Sequence, residues 1–403
     1  MPGREKDGSE IGRGQHGPCC DGRLKWCRRS PPRSVDLLMI ELQSVEVDSA
    51  NVEFWTSIAG ELLSSSNNFF SDNIDHVRFA GQVSLRRSLR DRLLQLAATR
   101  RISLRPFTDP SKVQEVLSLP GLPETYRALE DRDSRNLLVK LLAYRILGPR
   151  RVKLPTNCPE YWKTVEHAKR YLVEAKVIRD FPVLGTLDLY AIGDLRLIGH
   201  RMTIVNAFLL EQYRCERAGV RVEPGDIVVD AGGCLGDTAL FFAKDAKRVF
   251  CYECIPSNIR ILQKNLELNP DRAHKISVVA KALHREPGKV LRFSDNGPGS
   301  RAVAEGIEVT TDTIDNLVSS GRAERVDFIK MDIEGAEMDA LIGAERTIRS
   351  YRPRLAISVY HSLPDFVRIP RWIASLNLGY KFYLEHFTIH EEETILFAKS
   401  AAQ

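Results

Sequence analysis

The residues best able to do chemistry lie in the run Ile227-Val-Val-Asp230-Ala-Gly232-Gly233-Cys234-Leu235-Gly236-Asp237-Thr238. Three β-branched residues make a buried strand, and an acid stands at its carboxyl end. The glycines then let the backbone turn sharply and approach a ligand closely. In open α/β sheets, ligands bind at the carboxyl ends of strands. The spacing Asp-x-Gly-Gly-x-x-Gly differs from the Gly-x-Gly-x-x-Gly of dinucleotide sites, and no Gly-Lys-Ser/Thr of a P-loop follows. Asp230 would repel a pyrophosphate and suits a ligand with a positive charge, such as the ammonium of a methionine moiety.

A second acid sharpens this. The expected strand Val249–Glu253 ends in Glu253, 23 residues after Asp230. An acid at about 20 residues beyond the first strand can accept both ribose hydroxyl hydrogens. Glycine loop, acidic strand end and a reversed terminal hairpin together point to S-adenosylmethionine (SAM), with NAD as the alternative.

Methyl transfer from a sulfonium is an in-line displacement with an excellent leaving group, so the protein mainly positions the acceptor. A hydroxyl acceptor must also lose its proton, and a positioned base contributes about 10²–10⁴-fold. Asp332 ends the expected strand Val326–Asp332, where it orients the acceptor or touches the ammonium; Glu334 and Glu337 follow it. His361 ends the strand Leu355–His361 and suits a base, with an unperturbed pKa of about 6.5. His386, at the end of the next strand-like run, is a second candidate. The plainer alternatives are first-turn acids that favour a helix start for Glu334 and Glu337, and a hydrogen-bonded structural role for the histidines. Three carboxylates can also hold Mg²⁺, but the spacing does not demand it, and no metal is expected.

These residues need a scaffold, and the chain from about residue 219 supplies the pattern of one. Strands are expected at Ile227–Ala231, Val249–Glu253, Ile276–Ala280, Val326–Asp332 and Leu355–His361. Helices are expected at Asp237–Asp245, Ser257–Leu268, Gly335–Ser350 and Pro370–Asn377. Such alternation requires a parallel sheet covered on both faces. Lys381–His386 and Thr394–Ala398 have no helix between them and predict an antiparallel hairpin at the sheet edge. Upstream, 39–150 reads as a mainly helical domain, with Ser134–Leu147 its clearest helix, capped by Asp133 or Ser134 and ended by Gly148-Pro149. Residues 151–215 form a lead-in, with short strands at Thr186–Ile192 and Leu195–Ile198 and a helix at Thr203–Cys215. The domain that carries the chemistry is then 216–403.

Composition narrows the classes. The 403 residues are 43% hydrophobic and 28% charged, a globular balance. No run of about 18 apolar residues predicts a membrane span, and no secretory signal is visible, so a cytoplasmic protein is expected. The net charge is +5. Arg86, Arg87, Arg90, Arg92, Arg100 and Arg101 read as the solvated face of an amphipathic helix rather than a nucleic-acid site. Residues 1–38, rich in Gly, Pro, Arg and Cys, read as a disordered tail, and translation starting at Met39 is an expectation that intact mass would test. His16, Cys19, Cys20 and Cys27 match no common zinc module. Cys251 and Cys254 read as strand packing rather than a redox pair, because a strand sends them to opposite faces.

Three blocks resemble one family. Asp230–Thr238, Met331-Asp-Ile-Glu-Gly-Ala-Glu337 and Arg352-Pro-Arg-Leu-Ala-Ile-Ser-Val-Tyr-His361 are similar to the FkbM-type methyltransferases, over roughly residues 200–400. The first block is shared by all class I methyltransferases; the other two are more specific. The namesake O-methylates a macrolide hydroxyl, and relatives act on sugars and other hydroxyls. The resemblance implies a class I, Rossmann-like α/β fold with a seven-stranded sheet and SAM as methyl donor. It implies that Gly232 and Gly236 line the methionine part beside Asp230, Gly233, Asp237 and Thr238. Glu253 would hold the ribose, and Lys281 or Ala282 would border the adenine. The activity expected is transfer of a methyl group to a hydroxyl of a small molecule, a sugar, glycan or polyketide-like metabolite. An inactive binding protein of the same fold and an NAD-dependent oxidoreductase are the alternatives. The sequence is silent on oligomeric state.

Overall fold

The computed structural model describes residues 51–75 and 110–401. The expectations for 1–38, for Met39 and for the arginine-rich helix around Arg86–Arg101 lie outside the described residues. The chain opens with helices α1 (Val52–Ser65), α2 (Pro110–Leu117), α3 (Leu122–Ala128), α4 (Arg132–Leu147) and α5 (Pro159–His167). α4 starts two residues earlier than expected. Its cap is Asp131, whose side chain accepts a hydrogen bond from the Ser134 N–H at 2.7 Å, rather than Asp133 or Ser134.

The lead-in is a three-stranded antiparallel sheet of β1 (Leu172–Phe181), β2 (Gly185–Ile192) and β3 (Leu195–Gly199). The expected hairpin is β2–β3. β1 was not expected: it is largely exposed and shifts register along β2, so it shows no alternating burial. Asn265 clamps β3 by accepting from the Ile198 N–H at 2.7 Å and donating to the Ile198 carbonyl at 2.9 Å. The helix expected over Thr203–Cys215 is instead one helical turn, Arg201–Thr203, running into a π-helical segment, Ile204–Leu209. Such segments are rare and often lie at functional sites.

The main sheet has seven strands in the order β12-β13-β11-β10-β4-β5-β6. They are β4 (Ile227–Ala231), β5 (Arg248–Tyr252), β6 (Ile276–Val279), β10 (Phe328–Met331), β11 (Arg354–Ser358), β12 (Tyr380–His386) and β13 (Thr394–Ser400). β10 pairs in parallel with both β4 and β11, and β13 runs antiparallel between β11 and β12. This is the expected fold, with the reversed hairpin in place. Side chains alternate across it. Val229, Ala231, Ile329, Met331 and Ile357 join one core with α1, α3 and α4, while Val228, Cys251, Phe328, Ala356 and Phe397 join the core on the other face. Each Val, Ile, Met or Phe among them, fully buried, contributes about 1.5–3 kcal/mol, so this double-sided core dominates the fold.

Helices α6 (Asp237–Phe242) and α7 (Pro256–Glu267) follow β4 and β5. After β6 comes a small sheet of β7 (Ala282–Leu283), β8 (Val290–Phe293) and β9 (Ile307–Asp312), then α8 (Ile314–Ser319). The helix expected over Gly335–Ser350 is broken into α9 (Glu337–Ile342) and α10 (Glu345–Tyr351). Gly343 sits at the break, where a side chain would collide with the His284 carbonyl. The last helix, α11 (Asp365–Ser375), begins before Pro370 and keeps that proline inside. The edge strand β12 is covered by the helical segment. The Glu130 N–H donates to the Phe382 carbonyl at 2.9 Å, and the Leu384 N–H donates to Ser134 Oγ at 2.9 Å. No helix among the described residues is long and apolar enough to cross a membrane.

Candidate active site at the carboxyl edge of the sheet

β4 ends in Asp230, and the turn that follows depends on its glycines. Gly232 has φ +81°, and a side chain there would collide with the carbonyl of Asp332 at the end of β10. Gly233 lies against Cys251 Sγ in the same way. The N–H groups of Gly232 and Gly233 both donate to the Tyr252 carbonyl, at 2.9 and 3.0 Å. The glycines therefore bring the turn down onto β5 and β10. Cys251 is a buried packing residue of β5, Cys254 lies beyond the strand end, and both thiols are free.

Asp230 is fully buried and is not among the residues that line the cleft beside this turn. Its Oδ2 accepts from Thr238 Oγ1 at 2.7 Å, and its Oδ1 lies 3.1 Å from Lys330 Nζ. Lys330 donates also to the Gly232 carbonyl at 2.7 Å and sits 5.2 Å from the centre of the Tyr213 ring. Burial lowers the affinity of this ammonium for its proton, but the charges of Asp230 and Asp332 raise it further, so it stays charged. The positive partner expected for Asp230 is thus supplied by the chain itself. Sequence reasoning missed Lys330. The signal was there, as a charged residue inside the apolar strand Phe328–Met331 is rarely buried without a partner.

One cleft gathers four of the nine expected cofactor residues, together with two of the acids expected to act on the acceptor. Gly232, Glu253, Lys281, Ala282, Asp332 and Glu334 line it, with Phe293 and the 297–300 turn opposite. It measures about 590 Å³ only when the open solvent at its mouth is counted. Gly233, Gly236, Asp237 and Thr238 shape the turn behind the cleft. Gly236, at φ +85°, packs against Leu262 of α7. Burial pushes the Asp237 carboxyl up to about 7, with Lys330 opposing it. Glu253 accepts from the backbone N–H groups of Cys234, Cys254 and Ile255, each at 2.8 Å. Burial raises its pKa, and these bonds together with one from Asn258 oppose that.

Beside the cleft, three carboxylates converge on one imidazole. Asp332 accepts from the Tyr213 hydroxyl at 2.8 Å and the Tyr360 hydroxyl at 3.1 Å. His361 Nε2 lies 3.4 Å from Asp332 Oδ1 and 3.9 Å from Glu334 Oε2, and Nδ1 lies 3.0 Å from Glu337 Oε1. Glu337 is sealed from solvent and accepts from the Ile333 N–H at 2.8 Å, so it braces the turn and does not reach the cleft. Burial alone would lower the His361 pKa, yet Glu337, Asp332 and Glu334 raise it to about 9. The imidazole therefore holds its proton more tightly than the value of about 6.5 usual for histidine would imply. Burial would raise Asp332, but the charges of His361 and Lys330 and the tyrosine hydroxyls hold it below its usual range. Burial lifts Glu334 up to about 7, opposed by His361. Glu334 adopts φ +55°, which projects it from the turn between β10 and α9. Tyr213 had no local signal, because it is delivered by the irregular turn after the π-helical segment.

His386 is elsewhere. It is buried at the end of β12, 2.8 Å from Thr394 Oγ1 through Nδ1, and it borders a separate cavity with Glu61, Lys140 and Arg217. Two strands, β13 and β11, separate it from the carboxylates, so the expectation that it serves the same cleft fails.

Residues 230–382 match the family model described as methyltransferase FkbM domain. Among solved structures, a methyltransferase FkbM from Methylobacillus flagellatus KT aligns over 90% of this chain and 98% of its own, with a TM-score of 0.51 and 18% identity. A precorrin-6y C5,15-methyltransferase from Geobacter metallireducens aligns over 49% of this chain and 86% of its own, at TM-score 0.31 and 9% identity. An rRNA methylase from Streptococcus thermophilus aligns over 44% and 89%, at TM-score 0.31 and 14% identity. The first likeness extends to the fold of nearly the whole chain, and the other two are too distant to add to it. No curated protein matches the chain significantly.

Proposed function

We propose that the chain, whose residues 230–382 match the model of the methyltransferase FkbM domain, transfers a methyl group from SAM to a hydroxyl of a small molecule, a sugar, glycan or polyketide-like metabolite. The observation that carries this reading is that Gly232, Glu253, Asp332 and Glu334 share one cleft at the carboxyl edge of the sheet. The methionine part lies along the Gly232 turn, the ribose at Glu253 and the adenine between Lys281–Ala282 and Phe293. A carboxylate has about four acceptor positions, so the N–H groups and Asn258 on Glu253 use its capacity, and the ribose hydroxyls bind by displacing or sharing one of them. Asp332, fixed by two tyrosine hydroxyls, orients the acceptor. Glu334, which lines the cleft and makes no hydrogen bond among the described residues, takes the hydroxyl proton as the methyl moves from sulfur to oxygen. The electron pair of the broken carbon–sulfur bond stays on sulfur. A cytoplasmic setting agrees with the free thiols of Cys158, Cys215, Cys234, Cys251 and Cys254.

Calorimetry tests the donor, and labelled SAM offered with glycans, glycolipids and polyketides tests the acceptor. The wild-type chain should bind SAM and its demethylated product but not NAD, and Glu253→Ala should weaken SAM at least tenfold. Unchanged SAM affinity in Glu253→Ala removes the ribose assignment, and absence of SAM binding by the wild type removes the function.

A further inference from the structure

We propose that Asp332, Glu337 and His361, with Glu334 beside them, form a binding site for a divalent cation. The three come from the end of β10, the first turn of α9 and the turn after β11, yet one ligand atom from each lies within 4.8 Å of the other two. An ion bound at about 2.0–2.2 Å from nitrogen and oxygen ligands holds them about 3–4 Å apart, so small rotations close this set around it. The set is also incompletely hydrogen-bonded, although His361 lies within ion-pair distance of its carboxylates. Glu337 is fully buried, and its Oε2 has no hydrogen bond. The His361 side chain is 8% exposed, and neither ring nitrogen makes a hydrogen bond of acceptable angle. Unsatisfied buried groups of this kind are costly, by about 1–3 kcal/mol each and more when charged, and a cation would satisfy them together.

The surroundings fit as well. Ligands of metal sites are held by outer partners. Here Tyr213 and Tyr360 fix Asp332, and the Ile333 N–H fixes Glu337. Three carboxylates around one imidazole leave an excess of negative charge that a single proton does not cancel. One imidazole with carboxylates suits manganese, magnesium or zinc rather than a soft ion such as copper(I). Asp332 and Glu334 both line the cleft, so a bound ion would stand beside the acceptor. The proposal adds to the function above without depending on it, because ion binding is measured with neither donor nor acceptor present.

The test uses the full chain, stripped with a chelator, dialysed and titrated with Mn²⁺ while electron paramagnetic resonance follows the free ion. One ion should bind per chain, excess Mg²⁺ or Zn²⁺ should displace it, and spin-echo spectra should show nitrogen-14 coupling from an imidazole. Glu337→Gln and His361→Asn should each weaken binding at least tenfold while circular dichroism confirms their fold. If a variant does not fold, the nitrogen coupling and stoichiometry of the wild type decide. No saturable binding, or a bound ion without nitrogen coupling, overturns the site. So does equal affinity in a folded Glu337→Gln. SAM calorimetry on the same sample separates the two readings, since donor binding without ion binding removes only the metal.

Discussion

Lys330 Nζ stands 3.1 Å from Asp230 Oδ1, and both side chains are almost wholly buried. The pair links adjacent strands β10 and β4 under the glycine turn and holds the Gly232 carbonyl. Removing one partner of such a pair leaves an uncompensated charge. Lys330→Met should destabilise the chain by about 3–5 kcal/mol, while Lys330→Met combined with Asp230→Leu should recover part of that loss. Urea denaturation of the two single variants and the double variant measures it, and strictly additive losses would mean that the two groups are not coupled.

Gly232→Ala places a methyl against the Asp332 carbonyl at a positive φ. The expected cost is on the order of 3 kcal/mol, together with loss of the thermal shift expected from the proposed donor, SAM. Gly60 in α1 has open space around it, so Gly60→Ala should instead stabilise by about 0.5–1 kcal/mol. Equal effects at the two positions would show that the collision at Gly232 relaxes freely.

Glu334→Gln keeps the shape of the turn but removes the proton acceptor. Turnover should fall by about 10²–10⁴-fold, with SAM affinity little changed, in single-turnover assays with the identified acceptor. Turnover at the wild-type rate would move the base to Asp332.

His361 makes stability depend on pH. Its pKa in the fold is raised to about 9 by Glu337, Asp332 and Glu334, against about 6.5 in the unfolded chain. The stabilisation from its proton is complete below about pH 6.5 and is lost as pH rises through about 9. With chelator present, the unfolding free energy should therefore fall across that window, and His361→Gln should flatten the fall. An unchanged slope in the variant would place the titration elsewhere.

The parallel sheet was readable because its strands are short apolar runs separated by amphipathic helices, and the hairpin because no helix intervenes between 386 and 394. The position of the cleft was readable from Gly232 and Glu253, since a glycine turn and an acid at neighbouring strand ends must meet at the carboxyl edge of the sheet. What escaped depends on distant neighbours. The proton on His361 is set by carboxylates at 332, 334 and 337, whose convergence no spacing reveals. Asp230 looked available because its partner, Lys330, lies 100 residues away. Strands β1 and β8 carry too little burial to leave a period in the sequence.

The cover over β12 has a practical bearing on dissection of the molecule. Cutting the chain before the lead-in would strip away Leu129, Glu130 and Ser134 and bare the hydrogen-bonding rim of that strand. A bare rim is a template on which a second chain can dock. Shortened versions that keep every residue of the cleft would then associate or precipitate, and the fault would lie in the missing helices rather than in the cleft.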